Sequence, residues 1–446
     1  MSKIQGAWWL SFGAVIAAWL MVEPDVFTTS GFIPLRNLLV QGSGLLAVTA
    51  MSLSLFLATR PRRIEPSLGG LDKMYRLHKW LGISALSMSI FHWSASNAPK
   101  WATALGLLEP STRGPRAAIT NPLAQRLANH RGVAEALGEW SFYAASALIL
   151  IALTKWIPYR LFYRTHGLLA VLYLPLVLHA IVLTKFSYWF SPVGLLLVPL
   201  LIIGVWSSIV VLRRRVGFHR RAQGKISTMH YYKGVHTLEL TIAIPKGWSG
   251  HAPGQFAFVT SSAAEGAHPY TIASAWNDNE RHITLVIKAL GDHTSHLREL
   301  LHVGQDVTVE GPYGCFTFED SSTSQIWVGG GVGITPFIAR MKYLAASRPS
   351  GVPSIHLFHP TAEFDEEALA KLAEDAKAAG VILHVLVDAR DGRLDGARIR
   401  AEVSTWADSS LWFCGPPGLG KALKQDFALA GLDVSHRFHQ EFFAMR

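Results

Sequence analysis

Long apolar runs fill the first half of the 446-residue chain and do not occur in the second half. Residues 1–212 contain runs of about 16 to 24 apolar residues, close to the roughly 20 that a helix needs to cross a bilayer core. Residues 216–446 mix charges, glycine and proline, as soluble domains do. This division predicts a membrane-embedded half followed by a soluble half.

Six membrane-spanning helices are predicted, at residues 7–23, 36–58, 74–95, 139–157, 161–184 and 191–212. Basic residues are concentrated in the loop after the second span and in the segment after the sixth, which indicates that these sides are cytoplasmic. The loop at 96–138 is also basic and would lie outside, so it fits this rule less well. The prediction is an integral membrane protein, in a bacterial inner membrane, with both termini in the cytosol.

Composition narrows the chemistry that the chain can perform. Its two cysteines, Cys315 and Cys414, are too few for the four thiolates of an iron–sulfur cluster. Any redox chemistry must therefore use flavin, haem or nicotinamide. The net charge of +10 does not predict a nucleic-acid partner, because no nucleic-acid motif accompanies it and basic residues flank the membrane spans.

Four histidines lie inside two of the predicted spans. His78 and His92 are 14 residues apart, which on an ideal helix is about 21 Å along the axis and about 40° in rotation. One helix face would thus present a ligand near each side of the membrane. His166 and His179 are 13 residues apart and miss a common face by about 140°. Pro175, which lies between them, is a place where the helix can kink or rewind.

The third and fifth spans run in the same direction, so His78 pairs with His166 at the inner side and His92 with His179 at the outer side. Arg76 and Arg164 precede the inner histidines by two residues, in "YRLH" and "YRTH", where they can meet a haem propionate. A single membrane histidine often only caps a hydrogen bond between helices. Paired histidines at matching depths instead predict two bis-histidine haems, because ionisable groups inside a membrane are costly and usually functional.

The soluble half changes its pattern at about residue 322. Residues 226–320 show short alternating strands broken by glycine and proline, which predict a small antiparallel barrel. Residues 325–446 alternate apolar strands with helical stretches, which predict a parallel sheet covered by helices. The expected fold is a multi-domain membrane protein with an all-α six-helix bundle (1–215), an antiparallel β-barrel (216–322) and an α/β domain (323–446).

Two motifs in the predicted barrel are candidates for flavin binding. In "HPYTIAS", at 268–274, Tyr270 is placed to pack on an isoalloxazine ring and Thr271 to offer a hydroxyl near its reactive nitrogen. His268 and Ser274 would serve the ribityl and phosphate side, although such a segment can also be an ordinary buried turn. Gly291 and Thr294 mark a predicted helix start, where backbone N–H groups suit a pyrophosphate.

Two glycine-rich loops in the α/β half are candidates for nucleotide binding. "VGGGVGITPF", at 328–337, follows a predicted strand and opens a helix, and its small residues let the backbone approach a phosphate. Pro336 stands where the full dinucleotide pattern has its last glycine. "CGPPG", at 414–418, ends a later strand and strengthens the prediction.

The order of "HPYT", "GDHT", "GPYG", "GGGVGITP", "CGPPG" and the terminal "FHQEFFAMR" resembles the ferredoxin–NADP reductase superfamily. With the paired histidines, nearly the whole chain resembles the ferric reductase and NADPH oxidase family. The resemblance implies FAD, two b-type haems and NAD(P)H as cofactors. It implies flavin contacts at His268, Pro269, Tyr270, Thr271 and Ser274, and nucleotide contacts at Gly329, Gly331, Gly333, Thr335, Pro336, Cys414, Gly415 and Pro416.

The same resemblance implies roles for two further residues and an activity. Phe443, beside Glu441, would cover the flavin until nicotinamide displaces it, and Arg36 would meet the outer haem propionate. Electrons would pass from cytosolic NAD(P)H through FAD and both haems to an acceptor outside the membrane. Ser96 stands where NADPH oxidases usually have another histidine, which slightly favours ferric iron or its chelates over oxygen reduced to superoxide.

Three questions stay open at the level of the sequence. No arginine follows "SIHLFHP", so NADH and NADPH are both possible donors. A transporter or sensor with a regulatory nucleotide domain is an alternative of another class. A membrane-anchored flavin reductase without haem is a third.

Overall fold

The computed structural model describes residues 2–109, 119–154, 156–262, 266–347, 349 and 351–441. Its internal contacts divide the chain into two compact units. The first is essentially Met1–Leu68 with Lys73–Val216, and the second is Gly69–Asp72 with Gly217–Met445. The predicted division of the soluble half at residue 322 stays a prediction.

The first unit is helical throughout its described residues. Its helices are α1 (Ser2–Val22), α2 (Phe32–Ala58), α3 (Ile64–Leu68), α4 (Leu71–Ala104), α5 (Pro122–Asn129), α6 (Arg131–Leu153), α7 (Tyr159–His166), α8 (Leu169–Leu183) and α9 (Pro192–Leu212). Short 3₁₀ segments at Pro24–Phe27 and Phe186–Phe190 connect some of them. Buried apolar side chains of α1, α2, α8 and α9 form one core, which includes Val15, Leu45, Tyr173 and Leu197.

Five helical segments of the described chain are long and apolar enough to cross a membrane: Lys3–Val22, Phe32–Ala58, Arg131–Leu153, Leu161–Leu183 and Pro192–Leu212. The six predicted spans are therefore confirmed only in part. The predicted third span, 74–95, lies inside α4, which is a continuous helix of 34 residues. This helix is long enough to cross, but it begins with Lys73, Arg76 and Lys79 and contains both His78 and His92. These polar residues lower its hydropathy below that of the other five.

The fifth span is interrupted directly after His166, nine residues before Pro175, where the sequence allows a kink. Pro175 lies inside α8. The helix instead breaks at Gly167 and Leu168, where the amides of Leu168, Ala170 and Val171 bond to carbonyls three residues back. Each residue of such a tight turn advances about 120° instead of about 100°, so three of them remove roughly 60° of the rotational mismatch between the two histidines.

The second unit begins with a six-stranded antiparallel sheet in the order β4-β3-β6-β1-β2-β5. Its strands are β1 (Arg221–Tyr232), β2 (Thr237–Ala243), β3 (Phe256–Thr260), β4 (His268–Thr271), β5 (His282–Lys288) and β6 (Asp306–Tyr313). Buried and more exposed residues alternate along β5, as expected for a sheet with one face on the core. A bridge between Ile272 and Leu285 joins the two outer strands. Helix α10 (Asp292–Leu300) follows β5.

A five-stranded sheet in the order β11-β10-β7-β8-β9 completes the second unit. All its neighbouring strands are parallel: β7 (Ser324–Gly329), β8 (Ser354–Thr361), β9 (Ile382–Val387), β10 (Ser410–Cys414) and β11 (Phe438–Gln440). Every residue of β7 and β10 is buried, because helices cover both faces of such a sheet. The predicted antiparallel and parallel sheets are thus confirmed.

The helices of this second sheet are α11 (Thr335–Ser347), α12 (Glu366–Ala379), α13 (Asp388–Asp391), α14 (Gly396–Glu402) and α15 (Pro417–Leu429). Helix α12 shows how local sequence sets their limits. The Asp365 carboxylate accepts a hydrogen bond from the amide of Ala368 at the start of the helix. Gly380 ends it in the left-handed conformation, at φ 69°.

Candidate functional site

The structure brings the four membrane histidines together as two pairs. The imidazole centres of His78 and His166 are 5.9 Å apart, and those of His92 and His179 are 6.1 Å apart. A metal–imidazole bond of about 2.0 Å on each side of one iron, plus about 1.1 Å from nitrogen to ring centre, gives about 6 Å. Both pairs therefore have the spacing of two axial ligands of a single iron. Among the described residues there is no group of three or more side chains that would hold a bare metal ion.

Three of the four imidazoles are oriented by a backbone carbonyl. Nδ1 of His92 lies 2.9 Å from the Val40 oxygen, and Nδ1 of His179 lies 2.9 Å from the Ala134 oxygen. Nδ1 of His78 lies 2.9 Å from the Ser54 oxygen. A carbonyl accepts only from an N–H, so each of these rings carries its proton on Nδ1 and keeps Nε2 unprotonated. A histidine that binds a metal through Nε2 needs this tautomer.

His166 is held differently from the other three histidines. Its ring lies 4.9 Å from the ring of Phe162, one turn earlier on the same helix. Its Nδ1 is buried, and no hydrogen-bond partner for it occurs in the described part of the chain. His166 also precedes the interruption between α7 and α8, so its position depends on that turn. The donor set of both pairs fits an iron porphyrin, with His166 the least constrained ligand.

Two glycines make room for the imidazoles of His92 and His179. A methyl group at Gly44 would lie 3.2 Å from Cε1 of His92, and one at Gly138 would overlap the ring of His179. Each glycine is four residues after the carbonyl that accepts from that imidazole, namely Val40 and Ala134. Residues four apart lie on the same helix face. The histidine therefore reaches the backbone of the facing helix because no side chain covers it one turn later.

The three predicted propionate arginines lie in different surroundings. The Arg36 guanidinium donates to the carbonyl oxygens of Ala95, at 3.0 Å, and Ser96, at 2.6 Å. These two residues belong to the helical turn that follows His92, so Arg36 is close to the pair of His92 and His179. Arg76 is half-buried on α4, two residues before His78, and Arg164 is exposed on α7, two residues before His166.

The flavin motif forms β4 and its continuation. His268, Pro269, Tyr270 and Thr271 pair with Val259, Phe258, Ala257 and Phe256 of β3. The hydroxyls of Tyr270 and Thr271 are buried and have no hydrogen-bond partner in the described part of the chain. Burial raises the pKa of Tyr270 above its usual range. Two orphaned buried hydroxyls on one strand fit a polar ligand such as an isoalloxazine ring.

The polar atoms expected on the phosphate side are partly engaged by the chain itself. The amide of Thr284 donates to Oγ of Ser274, at 3.0 Å, where the outer strands of the sheet meet. Oγ1 of Thr294 accepts from the amides of Leu290 and Gly291, at 3.0 and 3.1 Å. Gly291 and Thr294 therefore build the start of α10, as predicted, and their role toward a pyrophosphate stays a prediction.

His293 was not singled out in the sequence, although it lies inside the "GDHT" motif. Its ring stacks on that of His268, with centres 3.7 Å apart and planes 10° apart. This contact joins the first turn of α10 to the first residue of β4. The sequence contains a hint of this contact, because the motifs "HPYT" and "GDHT" each contain a histidine and both are predicted to bind the same dinucleotide.

The two glycine-rich loops meet at one edge of the parallel sheet. Strands β7 and β10 are neighbours, with Gly329 beside Cys414, and the amide of Gly330 donates to the Cys414 carbonyl at 2.9 Å. A methyl group at Gly333 would overlap that carbonyl. Gly331 has φ 55° and Gly415 has φ 156°, which favour glycine at both positions. Thr335 and Pro336 are buried in the first turn of α11, and Pro416 precedes α15.

Cys414 is fully buried, and burial raises the pKa of its thiol well above the usual range. The Cys414 thiol therefore stays protonated at pH 8. The Cys315 thiol is more accessible to solvent than that of Cys414. We expect iodoacetamide to modify Cys315 and to spare Cys414 in the folded protein, with both modified after denaturation. Peptide mass spectrometry checks this, and rapid labelling of Cys414 under native conditions would contradict it.

Phe443, which the sequence predicts to cover the flavin, lies outside the described residues.

A cavity of about 620 Å³ in the second unit was not expected from the sequence. Ser274, at the end of the flavin motif, and Gly331, in the first glycine-rich loop, both line it. Its other lining residues come from the segment 273–280 at and after the end of the flavin motif, from β2, β5, α11, α12 and the region at the end of β8, and from positions near the end of β1 and in the first glycine-rich loop. The size suits a bound small molecule. The cavity thus adjoins both predicted cofactor motifs.

Two family models match separate parts of the chain. Residues 43–177 match a family described as ferric reductase like transmembrane component, and residues 222–317 match an FAD-binding domain. The first match contains His78, His92 and His166 and ends two residues before His179. The second contains the whole flavin motif.

Curated relatives match parts of the chain. An NADPH oxidoreductase from Mycobacterium tuberculosis is 31% identical over 219 residues, 46% of this chain and 56% of that protein. Ferric reduction oxidase 5 from Arabidopsis thaliana is 36% identical over 129 residues, 27% of this chain and 18% of that protein. Respiratory burst oxidase homolog protein E, also from Arabidopsis thaliana, is 28% identical over 42% of this chain and 22% of that protein. The chain spans less than two thirds of the length of each of these relatives.

Among solved structures, a cytochrome P450 reductase from Amycolatopsis matches with a TM-score of 0.44 and 21% identity. The match covers 50% of this chain and 70% of that chain.

Proposed function

Because the chain joins a ferric reductase-like transmembrane component to an FAD-binding domain, we propose that it is an NAD(P)H-dependent oxidoreductase that moves electrons across a membrane. The electrons enter from NAD(P)H in the soluble half, pass through FAD and two bis-histidine haems, and leave to an acceptor on the opposite side. The inner haem binds to His78 and His166, and the outer haem binds to His92 and His179.

The two imidazole pairs carry this proposal. Their ring centres lie 5.9 and 6.1 Å apart, and three of the four rings keep Nε2 unprotonated through a bond from Nδ1 to a carbonyl. A histidine that only joins two helices needs neither a second histidine at ligand distance nor a fixed tautomer. Histidines 14 residues apart on α4 place the two sites about 21 Å apart along the helix axis.

When bound, FAD would supply the conversion of a hydride into single electrons, and haems held by the two histidine pairs would supply their relay across the membrane. The chain's own residues set the geometry. Tyr270 and Thr271 supply an apolar face and a hydroxyl for the flavin ring. The backbone at Gly330, Gly331 and Gly333 offers close approach to the nucleotide phosphates. Cys414, at the end of β10, lies beside this loop, where its backbone carbonyl accepts from the amide of Gly330.

The arrangement in the membrane is part of the proposal. Helix α4 crosses the membrane as the third span in chain order, in addition to the five apolar helices, since the proposed haem ligands His78 and His92 require it to lie beside the fifth span. Six crossings and the basic segment after α9 put both termini in the cytosol, and a bacterial inner membrane suits this topology. The six antiparallel strands, joined at Ile272 and Leu285, act as a closed barrel for the flavin.

Ferric iron or a ferric chelate is the acceptor that we favour. Arg36 is held against the Ala95 and Ser96 carbonyls beside the outer histidine pair, so a positive charge lies where electrons leave. Anionic chelates such as ferric citrate are attracted to such a charge. Ser96 carries no imidazole that could bond to oxygen as it is reduced.

Sealed vesicles that contain the purified chain with FAD and haem test the proposal. NADH and NADPH are supplied on one side, and ferric citrate with a membrane-impermeant ferrous chelator on the other, under argon. Each nucleotide gives up two electrons, so we expect about two ferrous ions per nucleotide oxidised. Empty vesicles give the background.

Two other results would decide against parts of the proposal. Superoxide formed in air at about twice the rate of nucleotide consumption, in place of ferrous iron, would identify oxygen and not the ferric chelate as the acceptor. Nucleotide oxidation without reduction of the acceptor on the far side would indicate that the chain is a membrane-anchored flavin reductase. A chain that binds nucleotide but oxidises none would instead be a transporter or sensor.

A further inference from the structure

The cavity of about 620 Å³ brings one acidic residue to the candidate nucleotide site. Strand β7 leads into the glycine-rich loop, and its parallel neighbour β8 ends at Thr361, two residues before Glu363. Gly331 and Glu363 both line the cavity. When a pyrophosphate binds at the first loop of such a sheet, the adjoining ribose lies at the end of the next strand. Glu363 therefore lies where the adenosine ribose of a bound dinucleotide would lie.

The backbone around Glu363 is fixed by Thr361. Oγ1 of Thr361 donates to the carbonyl of Glu363 at 2.9 Å and accepts from its amide at 3.3 Å. The Glu363 carboxylate forms an ion pair with Lys288 of β5 at 2.8 Å. Both side chains are largely shielded from solvent, 34% and 18% exposed, so the pair faces the cavity and holds the carboxylate in place.

The basic residues of the cavity are already neutralised. Each of its three lysines pairs with a carboxylate that also lines it: Lys288 with Glu363 at 2.8 Å, Lys342 with Asp375 at 3.2 Å, and Lys371 with Glu239 at 2.7 Å. Two further acids, Asp278 and Glu280, line the cavity, and no arginine occurs among the described lining residues. Acidic side chains therefore outnumber lysines by two.

His359 does not add a positive charge to this wall. It is buried in β8, and burial lowers the pKa of its imidazole. Its Nδ1 lies 2.7 Å from the carbonyl oxygen of Gly329 and donates to it, which ties the ends of β7 and β8 together. The neutral ring serves the backbone of the loop and not an anion.

We infer that this cavity selects NADH over NADPH, and that Glu363 is the specificity-determining residue. A ribose 2′-hydroxyl donates a hydrogen bond to the Glu363 carboxylate. A 2′-phosphate brings about two negative charges to the same place, where a carboxylate and an acidic excess repel it. The inference rests on the proposed function, since it concerns the electron donor of that same site.

Kinetics and binding together test this inference on the full chain in detergent with FAD. The value of kcat/KM is measured for both nucleotides with ferricyanide, which accepts electrons without a membrane gradient, and calorimetry measures the binding of NAD⁺ and NADP⁺. We expect NADH to be favoured by about tenfold or more, the worth of one hydrogen bond to a charged group. Glu363→Gln, which keeps size and removes charge, should bring the ratio most of the way to one.

Glu366→Gln is the matched control. Glu366 is exposed in the first turn of α12, three residues from Glu363, and it does not line the cavity, so its variant should keep the ratio of the natural chain. Equal use of the two nucleotides, a preference for NADPH, or an unchanged ratio in Glu363→Gln would overturn the inference and leave the proposed function intact. Absence of binding of either nucleotide would instead overturn the proposed function.

Discussion

Replacement of His92 by leucine is expected to remove one haem from each chain and to stop electron transfer across the membrane, while NAD(P)H still reduces the flavin. Leucine has a similar size but cannot bind iron, so His179 is left as a single ligand opposite an apolar side chain. Changes around metal-bound histidines cost 10- to 100-fold in affinity, and loss of the ligand itself should exceed about 100-fold. The inner pair, His78 and His166, keeps its haem.

Three measurements on the purified variant check this expectation. Haem per polypeptide should fall by half, the dithionite-reduced minus oxidised spectrum should keep a bis-histidine band of about half intensity, and ferric citrate reduction in vesicles should disappear. His130→Leu is the control, because His130 is exposed before α6 and far in sequence from both pairs. Full haem content in His92→Leu would contradict the assignment of the outer pair.

The grouping of the four histidines could be predicted because it depends on quantities that sequence carries. Residue spacing fixes depth along a helix, and the direction of two spans fixes which depths coincide. The structure accordingly places His78 beside His166 and His92 beside His179. What the sequence did not show is how the fifth span rotates His166 toward its partner. The tight turn at Gly167 and Leu168 depends on packing, whereas Pro175, the obvious local signal, lies within an uninterrupted helix.

Local sequence patterns predict the secondary structure of the soluble half, but they do not predict which of its loops lie next to each other. Continuous apolar strands such as "SLWFC" predict a sheet covered on both faces. That Gly329 lies beside Cys414, 85 residues later, depends on the strand order, in which β10 adjoins β7. The acid–lysine pairs of the cavity are equally non-local, since Lys371 and Glu239 are 132 residues apart. Only the folded sheet brings such residues together, so the sequence left NADH and NADPH equally possible, and the preference that we infer depends on the fold.

One feature of the histidine sites is visible in the sequence once the structure explains it. Val40 and Gly44, and likewise Ala134 and Gly138, are four residues apart, and the earlier residue of each pair accepts from an imidazole of another helix. A histidine can reach a helix carbonyl only where the next turn has no bulky side chain. The glycines are therefore as much a part of the site as the ligands.

Gly138→Ala should consequently weaken the outer haem without touching a ligand. Its methyl group would overlap the His179 ring and push Nδ1 away from the Ala134 carbonyl, so the ring loses both its position and its fixed tautomer. We expect haem affinity at the outer site to fall about 10- to 100-fold, and the strain to cost about 1–3 kcal/mol of stability.

Gly132→Ala separates this steric effect from a general effect of alanine on helix α6. Gly132 lies on the same helix, and a methyl group there meets nothing within 4 Å, so this variant should bind haem normally and gain slightly in helix stability. Haem titration of the apoprotein, followed at the Soret band, measures both variants. If Gly138→Ala and Gly132→Ala retained haem equally, the close approach of His179 to α6 would not contribute to haem binding at this site.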